Sequence, residues 1–255
     1  MGQEKKNSPA RGGEDIRERL ILGLDIDDIA QAYGLIDKLA PYIKYYKVGL
    51  QLITKDGPRL AMTLKRKGLK IFYDAKFYDI PRTVYNASYE AARLGVNMFN
   101  VHASGGFDMI KAAREGAEAA SLKLQIDRPL VLAVTVLTSM SNRDIKNIYK
   151  TTWDVKKLVL NFAKTAKKAG ADGVVCSPKE VKVIRKELGG SFKIITPGIR
   201  LGRVAKDDQK RIMTPYDAIR AGSDYIVVAR PILQADDKPG IVEKIMGQIR
   251  EAAGK

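Results

Sequence analysis

The sequence predicts an α/β protein built as a single (β/α)8 TIM barrel with parallel strands. Three observations carry this. Eight short runs rich in β-branched residues are nearly continuous in apolar character, stretches of helical period separate them, and polar residues gather where the runs end. Unbroken apolar runs, unlike alternating ones, are expected of parallel strands covered on both faces. The runs are LILGLDI from Leu20, YYKVGL from Tyr45, KIFYDAK from Lys70, MFNVHA from Met98, LVLAVTVL from Leu130, GVVCS from Gly173, KIITPG from Lys193 and YIVVAR from Tyr225. Between them, IAQAYGLIDKLAPYI, PRLAMTLKRKG, VYNASYEAARLG, IKAAREGAEAA, VKKLVLNFAKTAKKAG and IVEKIMGQIREAA read as amphipathic helices. Eight βα units in about 240 residues fit one barrel more simply than two domains, with an open doubly wound sheet as the alternative. GxGxxG and Walker signatures are both absent from the sequence. The polar, Gly-containing start predicts a flexible tail over residues 1–16, leaving 17–255 as the barrel domain.

Composition narrows the class. The 255 residues are 45% hydrophobic and 29% charged, the balance of a globular domain with a sizeable core. The longest apolar run, around Leu130 to Leu137, is far short of the roughly 18 residues of a spanning helix. The amino terminus, MGQEKKNSPARGGED, has no apolar signal segment, and Lys6 stands where myristoylation would want Ser or Thr, so a cytoplasmic location is expected. One cysteine, Cys176, excludes an internal disulfide and a multi-cysteine zinc site, and its GVVC flank predicts a core position. The net charge is +16, and between Arg143 and Arg211 there are 18 basic and 7 acidic residues. Such a field favours anionic substrates. No aromatic-interleaved basic strip accompanies it, so a specific nucleic-acid partner is not expected.

In a barrel the chemistry belongs at the carboxyl ends of strands. The first run ends at Asp25, the second contains Lys47, and the third brings Asp74 and Lys76, then Asp79. Further ends carry His102, Thr138 and Ser139, then Pro197, Gly198 and Arg200, and finally Arg230. Taken singly, each has a bland reading: Asp25 as a helix cap, Lys47 as a solvated lysine, His102 as a core histidine. Together they form a ring. In DAKFYDIPRT, Asp74 and Lys76 share strand parity and Asp79 opens the next turn. Two carboxylates flanking one ammonium, with Lys47 arriving from the neighbouring strand, would make an alternating charge network that keeps the lysines protonated.

DAKFYDIPRT resembles the D-x-K-x-x-D-I-x-x-T signature of the orotidine 5'-monophosphate decarboxylase family. LGLD at Asp25, YKVG at Lys47, VHASGG at His102, LTSM at Ser139, PGIR at Gly198, DDQKR around Gln209 and ARPI at Arg230 extend the likeness over nearly the whole chain. The resemblance implies loss of CO2 from orotidine 5'-monophosphate to give uridine 5'-monophosphate, the last step of de novo UMP synthesis, with no metal or organic cofactor. It implies that Asp25 and Lys47 contact the ribose hydroxyls, that Asp74 lies beside the orotate carboxylate, and that Lys76 protonates C6. Ser139 would bond the pyrimidine edge, Pro197 would pack against the reacting pocket, and Gln209 would bridge base and phosphate from a loop that closes. Arg230 would grip the phosphate. The family usually has Gly before that arginine, where this chain has Ala229. Residues matching Asp79 and Thr83 reach the partner's site in the family, so a homodimer is implied. Two rivals remain at this stage: a metal-dependent sugar-phosphate decarboxylase or aldolase sharing DxKxxD, and a non-catalytic basic barrel that binds nucleic acid.

Overall fold

The structure, a computed structural model, describes residues 15–202 and 213–254. It is a closed barrel of eight parallel strands in sequence order: β1 Leu20–Gly23, β2 Tyr45–Gly49, β3 Lys70–Phe77, β4 Met98–His102, β5 Leu130–Val134, β6 Gly173–Val175, β7 Lys193–Thr196 and β8 Tyr225–Val228. All eight runs seen in the sequence are strands. The barrel closes where β8 pairs with β1, with Leu20 opposite Ile226. The described helices are α1 Ile29–Leu39, α2 Leu50–Arg66, α3 Pro81–Arg93, α4 Gly106–Leu124, α5 Asn142–Tyr149, α6 Val155–Lys168, α7 Val181–Leu188, α8 Pro215–Ala221, α9 Arg230–Leu233 and α10 Lys238–Ala253.

Each strand feeds two cores, because successive side chains point to opposite faces. Ile21, Tyr45, Phe72, Met98, Leu132, Ile195, Tyr225 and Val227 form one buried cluster, the filling of the barrel. Within it the Tyr45 and Tyr225 rings meet edge to face at 5.8 Å. The alternate residues, among them Leu22, Tyr46, Val48, Phe99, Val101 and Val228, pack against the helices in the other cluster. Both faces are therefore dry, which is why the runs read as continuous. Each buried Leu, Ile or Phe contributes roughly 1.5–3 kcal/mol. β6 opens on Gly173 because a Cβ there would lie 2.3 Å from the Lys193 carbonyl oxygen of β7.

The helices start where local chemistry says they should. Asp28 caps α1, Ser141 and Asp144 form a reciprocal box at α5, and Asp154 caps α6. The bland reading of Asp25 as the cap is thus corrected by three residues. Helix α2 also differs from expectation. It begins at Leu50 rather than at Pro58, and is broken by non-helical dihedrals at Asp56, just before Gly57 and Pro58. Proline restricts the backbone before it and removes a helical hydrogen bond, so one element reads as a helix only in its second part.

Some of the basic excess is structural. The Arg128 guanidinium makes two 2.7 Å bonds to Asp172, and Arg185 donates to Asp224 as well as to the carbonyls of Gly189, Phe192 and Gly222. These arginines tie loops and strands together. No described helix is long and apolar enough to cross a membrane.

Candidate active site

One step along each strand from the barrel filling, toward the carboxyl ends, the inward positions change character. Tyr45 is followed on its face by Lys47, Phe72 by Asp74, and Met98 by Asn100. Lys47 and Asp74, with Asp25 and Lys76, line a cavity of about 500 Å³, and Asn100 lies buried behind them. Val134, Val136, Leu137, Thr138, Pro197, Gly198, Ala229 and the guanidinium-bearing Arg200 and Arg230 are among the cavity's other lining residues. That volume suits a small organic ligand. Four cationic and two anionic side chains line it, which favours a ligand of negative charge.

The charged groups form a chain. Lys47 Nζ lies 3.0 Å from Asp25 Oδ1 and 3.1 Å from Asp74 Oδ2, and Lys76 Nζ lies 2.7 Å from Asp74 Oδ1. Burial disfavours both charges of the inner pair, yet the partners win. The Lys47 pKa stands above its ordinary value because Asp74 and Asp25 outweigh desolvation. The Asp74 pKa stands below its ordinary value because Lys47, Lys76 and a hydrogen bond from Asn100 do the same. Room for the Lys47 stem comes from Gly23, where a Cβ would lie 3.3 Å from Lys47 Cε and 3.0 Å from Ala229 Cβ.

The sequence reading and the structure agree on most positions and part on others. Asp25, Lys47, Asp74, Lys76, Pro197, Ala229 and Arg230 all line the cavity. Ala229 has φ −123°, outside the left-handed region that favours glycine. Thr138 lines the cavity, whereas its neighbour Ser139 is exposed and is not among the lining residues. Asp79 does not join Lys76. Its carboxylate accepts from the Ile80 amide at 2.7 Å, and it and Thr83, on the first turn of α3, are both exposed. The alternating network of one chain therefore contains Asp74 but not Asp79. Gln209 lies outside the described residues. His102 stacks edge to face with Tyr78 and borders a separate, smaller cavity; burial and Lys76 hold its pKa below the usual histidine value. Cys176 is buried, as expected, and burial pushes its thiol pKa up. It also borders the main cavity.

Two residues were not singled out as site residues from the sequence. In the sequence Arg200 reads only as a strand end, yet it is nearly buried and lines the cavity, with Nη1 donating to the Ile199 carbonyl at 2.9 Å. Asn100 is fully buried, with Nδ2 2.6 Å from Asp74 Oδ1 and Oδ1 2.7 Å from the Lys76 amide nitrogen. Its signal was a lone amide inside the apolar run MFNVHA. Among the described residues, no cluster of three or more His, Cys, Asp or Glu side chains could hold a metal ion.

Fold and site together define a class: a parallel (β/α)8 barrel with an Asp–Lys charge chain and two arginines lining one cavity at the carboxyl ends of its strands. Residues 18–245 match the Orotidine 5'-phosphate decarboxylase / HUMPS family, and the chain belongs to that family. It is 46% identical over 235 residues to the orotidine 5'-phosphate decarboxylase of Saccharophagus degradans, covering 92% of this chain and 96% of the relative. It is 43% identical over 236 residues to the protein of that name from Syntrophomonas wolfei, covering 92% and 99%. Among solved structures, orotidine 5'-phosphate decarboxylase from Lactobacillus acidophilus superposes with a TM-score of 0.81 at 39% identity, covering 91% of this chain and 99% of that one.

Proposed function

We propose that the protein is a carboxy-lyase that converts orotidine 5'-monophosphate to uridine 5'-monophosphate and CO2 in pyrimidine synthesis. The observation that carries this is the Lys47–Asp74–Lys76 chain at one side of a cavity that also holds Arg200 and Arg230. The relatives' shared name supports the same substrate. The sugar-phosphate and nucleic-acid readings are not favoured by those relatives.

In the reaction the bond between C6 and the carboxyl carbon breaks heterolytically. CO2 leaves and the electron pair stays on C6, in the ring plane and out of conjugation with the ring carbonyls. Delocalisation cannot stabilise that pair, so fixed charge must. The Lys76 ammonium faces the developing carbanion and then gives it a proton, and the lysine is reprotonated from water. Asp74 holds the Lys76 ammonium in place through their 2.7 Å ion pair. Its carboxylate lies beside the substrate carboxylate, whose departure relieves their repulsion. Asp25 and Lys47 bind the ribose hydroxyls, and Thr138 borders the pyrimidine edge, with Ser139 beside it at the rim. Pro197 and Ala229 pack against the ligand, while Arg230 and Arg200 take the phosphate. Gln209 spans base and phosphate.

The active form in this proposal is a cytoplasmic homodimer. The exposure of Asp79 and Thr83, away from their own chain's cavity, supports their serving the partner's site. The substrate assignment is tested by following orotidine 5'-monophosphate loss by ultraviolet absorbance in excess chelator. Full turnover is expected, because the lysines supply the positive charge. Chelator-sensitive turnover, or none, would overturn the mechanism.

A further inference from the structure

The lysine at the centre of the site sits on a defect in the sheet. Between β3 and β4 the register runs Phe72 with Met98 and Tyr73 with Phe99, then resumes with Phe77 opposite Val101. Three residues of β3, Asp74 to Lys76, therefore face a single residue of β4, Asn100. Extra residues of this kind re-aim a side chain at the cost of ladder hydrogen bonds. Lys76 itself has φ +50°, the left-handed region that side-chain-bearing residues seldom occupy. Something must hold it there.

Asn100 has the groups to do so. Its Oδ1 accepts from the Lys76 amide nitrogen at 2.7 Å, replacing the partner that the bulge removes, and its Nδ2 donates to Asp74 Oδ1 at 2.6 Å. The same Asp74 oxygen receives Lys76 Nζ at 2.7 Å. The amide orientation is set by chemistry, since the backbone N–H can only donate and the carboxylate can only accept. Asn100 is fully buried, so no water competes for these bonds. We infer that Asn100 is a positioning residue that holds Lys76 in its left-handed conformation and locks the Asp74 carboxylate against the Lys76 ammonium.

A carboxamide is needed here because one end must accept and the other donate. A protonated carboxyl meets both demands, whereas a carboxylate would face Asp74 with like charge. The groups around position 100 are Asp74 and Lys76 on β3, Lys47 on β2 beyond Asp74, and His102 on its own strand. Leu132 of β5, opposite it in register, is apolar. Burial and the Asp74 charge would hold a carboxyl at this position protonated above the usual range.

This inference rests on the decarboxylase reading, and the test separates the two. Decarboxylation of orotidine 5'-monophosphate is measured from pH 5 to 8 for the parent chain, Asn100→Leu and Asn100→Asp, with circular dichroism to establish folding. Asn100→Leu is expected to lose about a hundredfold in kcat with KM within about threefold, the mark of misplacement rather than lost binding. Asn100→Asp is expected to be poor at pH 8 and to recover at least about tenfold, relative to the parent, as the new carboxyl takes up its proton. If Asn100→Leu does not fold, the pH profile of Asn100→Asp decides alone. A pH-independent ratio of Asn100→Asp to parent, or kcat within threefold in the leucine variant, overturns the role of Asn100. A parent chain without turnover overturns the decarboxylase reading instead.

Discussion

Lys47 Nζ lies 3.1 Å from Asp74 Oδ2, and the two side chains are only 12% and 10% exposed. Charges this dry are kept ionised by each other, and removing one partner strands the other at a cost of about 3–5 kcal/mol.

The pair should leave a signature in stability against pH. Asp74 has a depressed pKa, so its contribution is complete above the ordinary value of 3.8 and is lost as pH falls through the lower folded value. Lys47 has a raised pKa, so its contribution is complete below 10.5 and is lost as pH rises through the higher folded value. Asp74→Asn should therefore unfold roughly 10 °C below the parent at pH 7. The gap should begin to narrow below pH 3.8 and close as pH falls through the lower folded value. Thermal melts of both chains from pH 2 to 7 check this; a constant gap would show that the Asp74 charge is not its source.

Lys76 and Arg230 should fail differently. Lys76→Ala should lose roughly 10⁴-fold in kcat, since both charge stabilisation and proton delivery go, while uridine 5'-monophosphate binding stays within about threefold. Arg230→Ala should raise KM by about 10- to 100-fold, the worth of hydrogen bonds to a charged group. Steady-state kinetics and product titration separate them, and matching defects would show that the two roles are misassigned.

A side chain at residue 23 should be costly while Ala229 is present. A Cβ at residue 23 would lie 3.0 Å from Ala229 Cβ and 3.3 Å from Lys47 Cε, so Gly23→Ala must displace Lys47 or the β8 end. A loss of roughly tenfold in kcat/KM is expected, with about 1–3 kcal/mol of stability. Adding Ala229→Gly should restore most of both. A silent single variant, or a double variant no better than the single, would place the tolerance elsewhere.

If Asp79 serves the partner's site, Lys76→Ala and Asp79→Ala chains should complement one another. In a mixed dimer one site keeps Lys76 and receives an intact Asp79, and the other carries both lesions. Equal amounts with free exchange make about half the dimers mixed, so about a quarter of parental activity should return. Tag pull-down verifies the exchange. Mixed dimers as inactive as the parents would place Asp79 in its own chain's site.

Much of this was legible in one dimension. A period-2 strand covered on both faces has to be apolar throughout, so a charge within such a run, as at Lys47 or Asp74, stands out and marks the one end of the barrel where polarity is tolerated. Strand parity also put Asp74 and Lys76 side by side. They do meet, but through a bulge that strand parity does not encode. Asn100 does not stand out in the sequence for the same reason: what it bonds depends on which β3 residues it faces, and that depends on register. Helix α2 was half hidden by Gly57 and Pro58, whose local preferences oppose a helix that packing against the barrel sustains.

The sequence by itself determined the eight strands and the identity of the charged groups, because these follow from local periodicity and from residue types at strand ends, and it pointed to the family through the resemblance carried by DAKFYDIPRT and the motifs around it. Only the tertiary structure decided which groups meet. It set Lys47 between Asp25 and Asp74, brought Thr138 rather than Ser139 to the cavity wall, turned Asp79 away from Lys76, and put Arg200 among the lining residues. The physical reason is that contacts depend on strand register, bulges and the closure of β8 on β1, which are settled by packing between residues far apart in the chain.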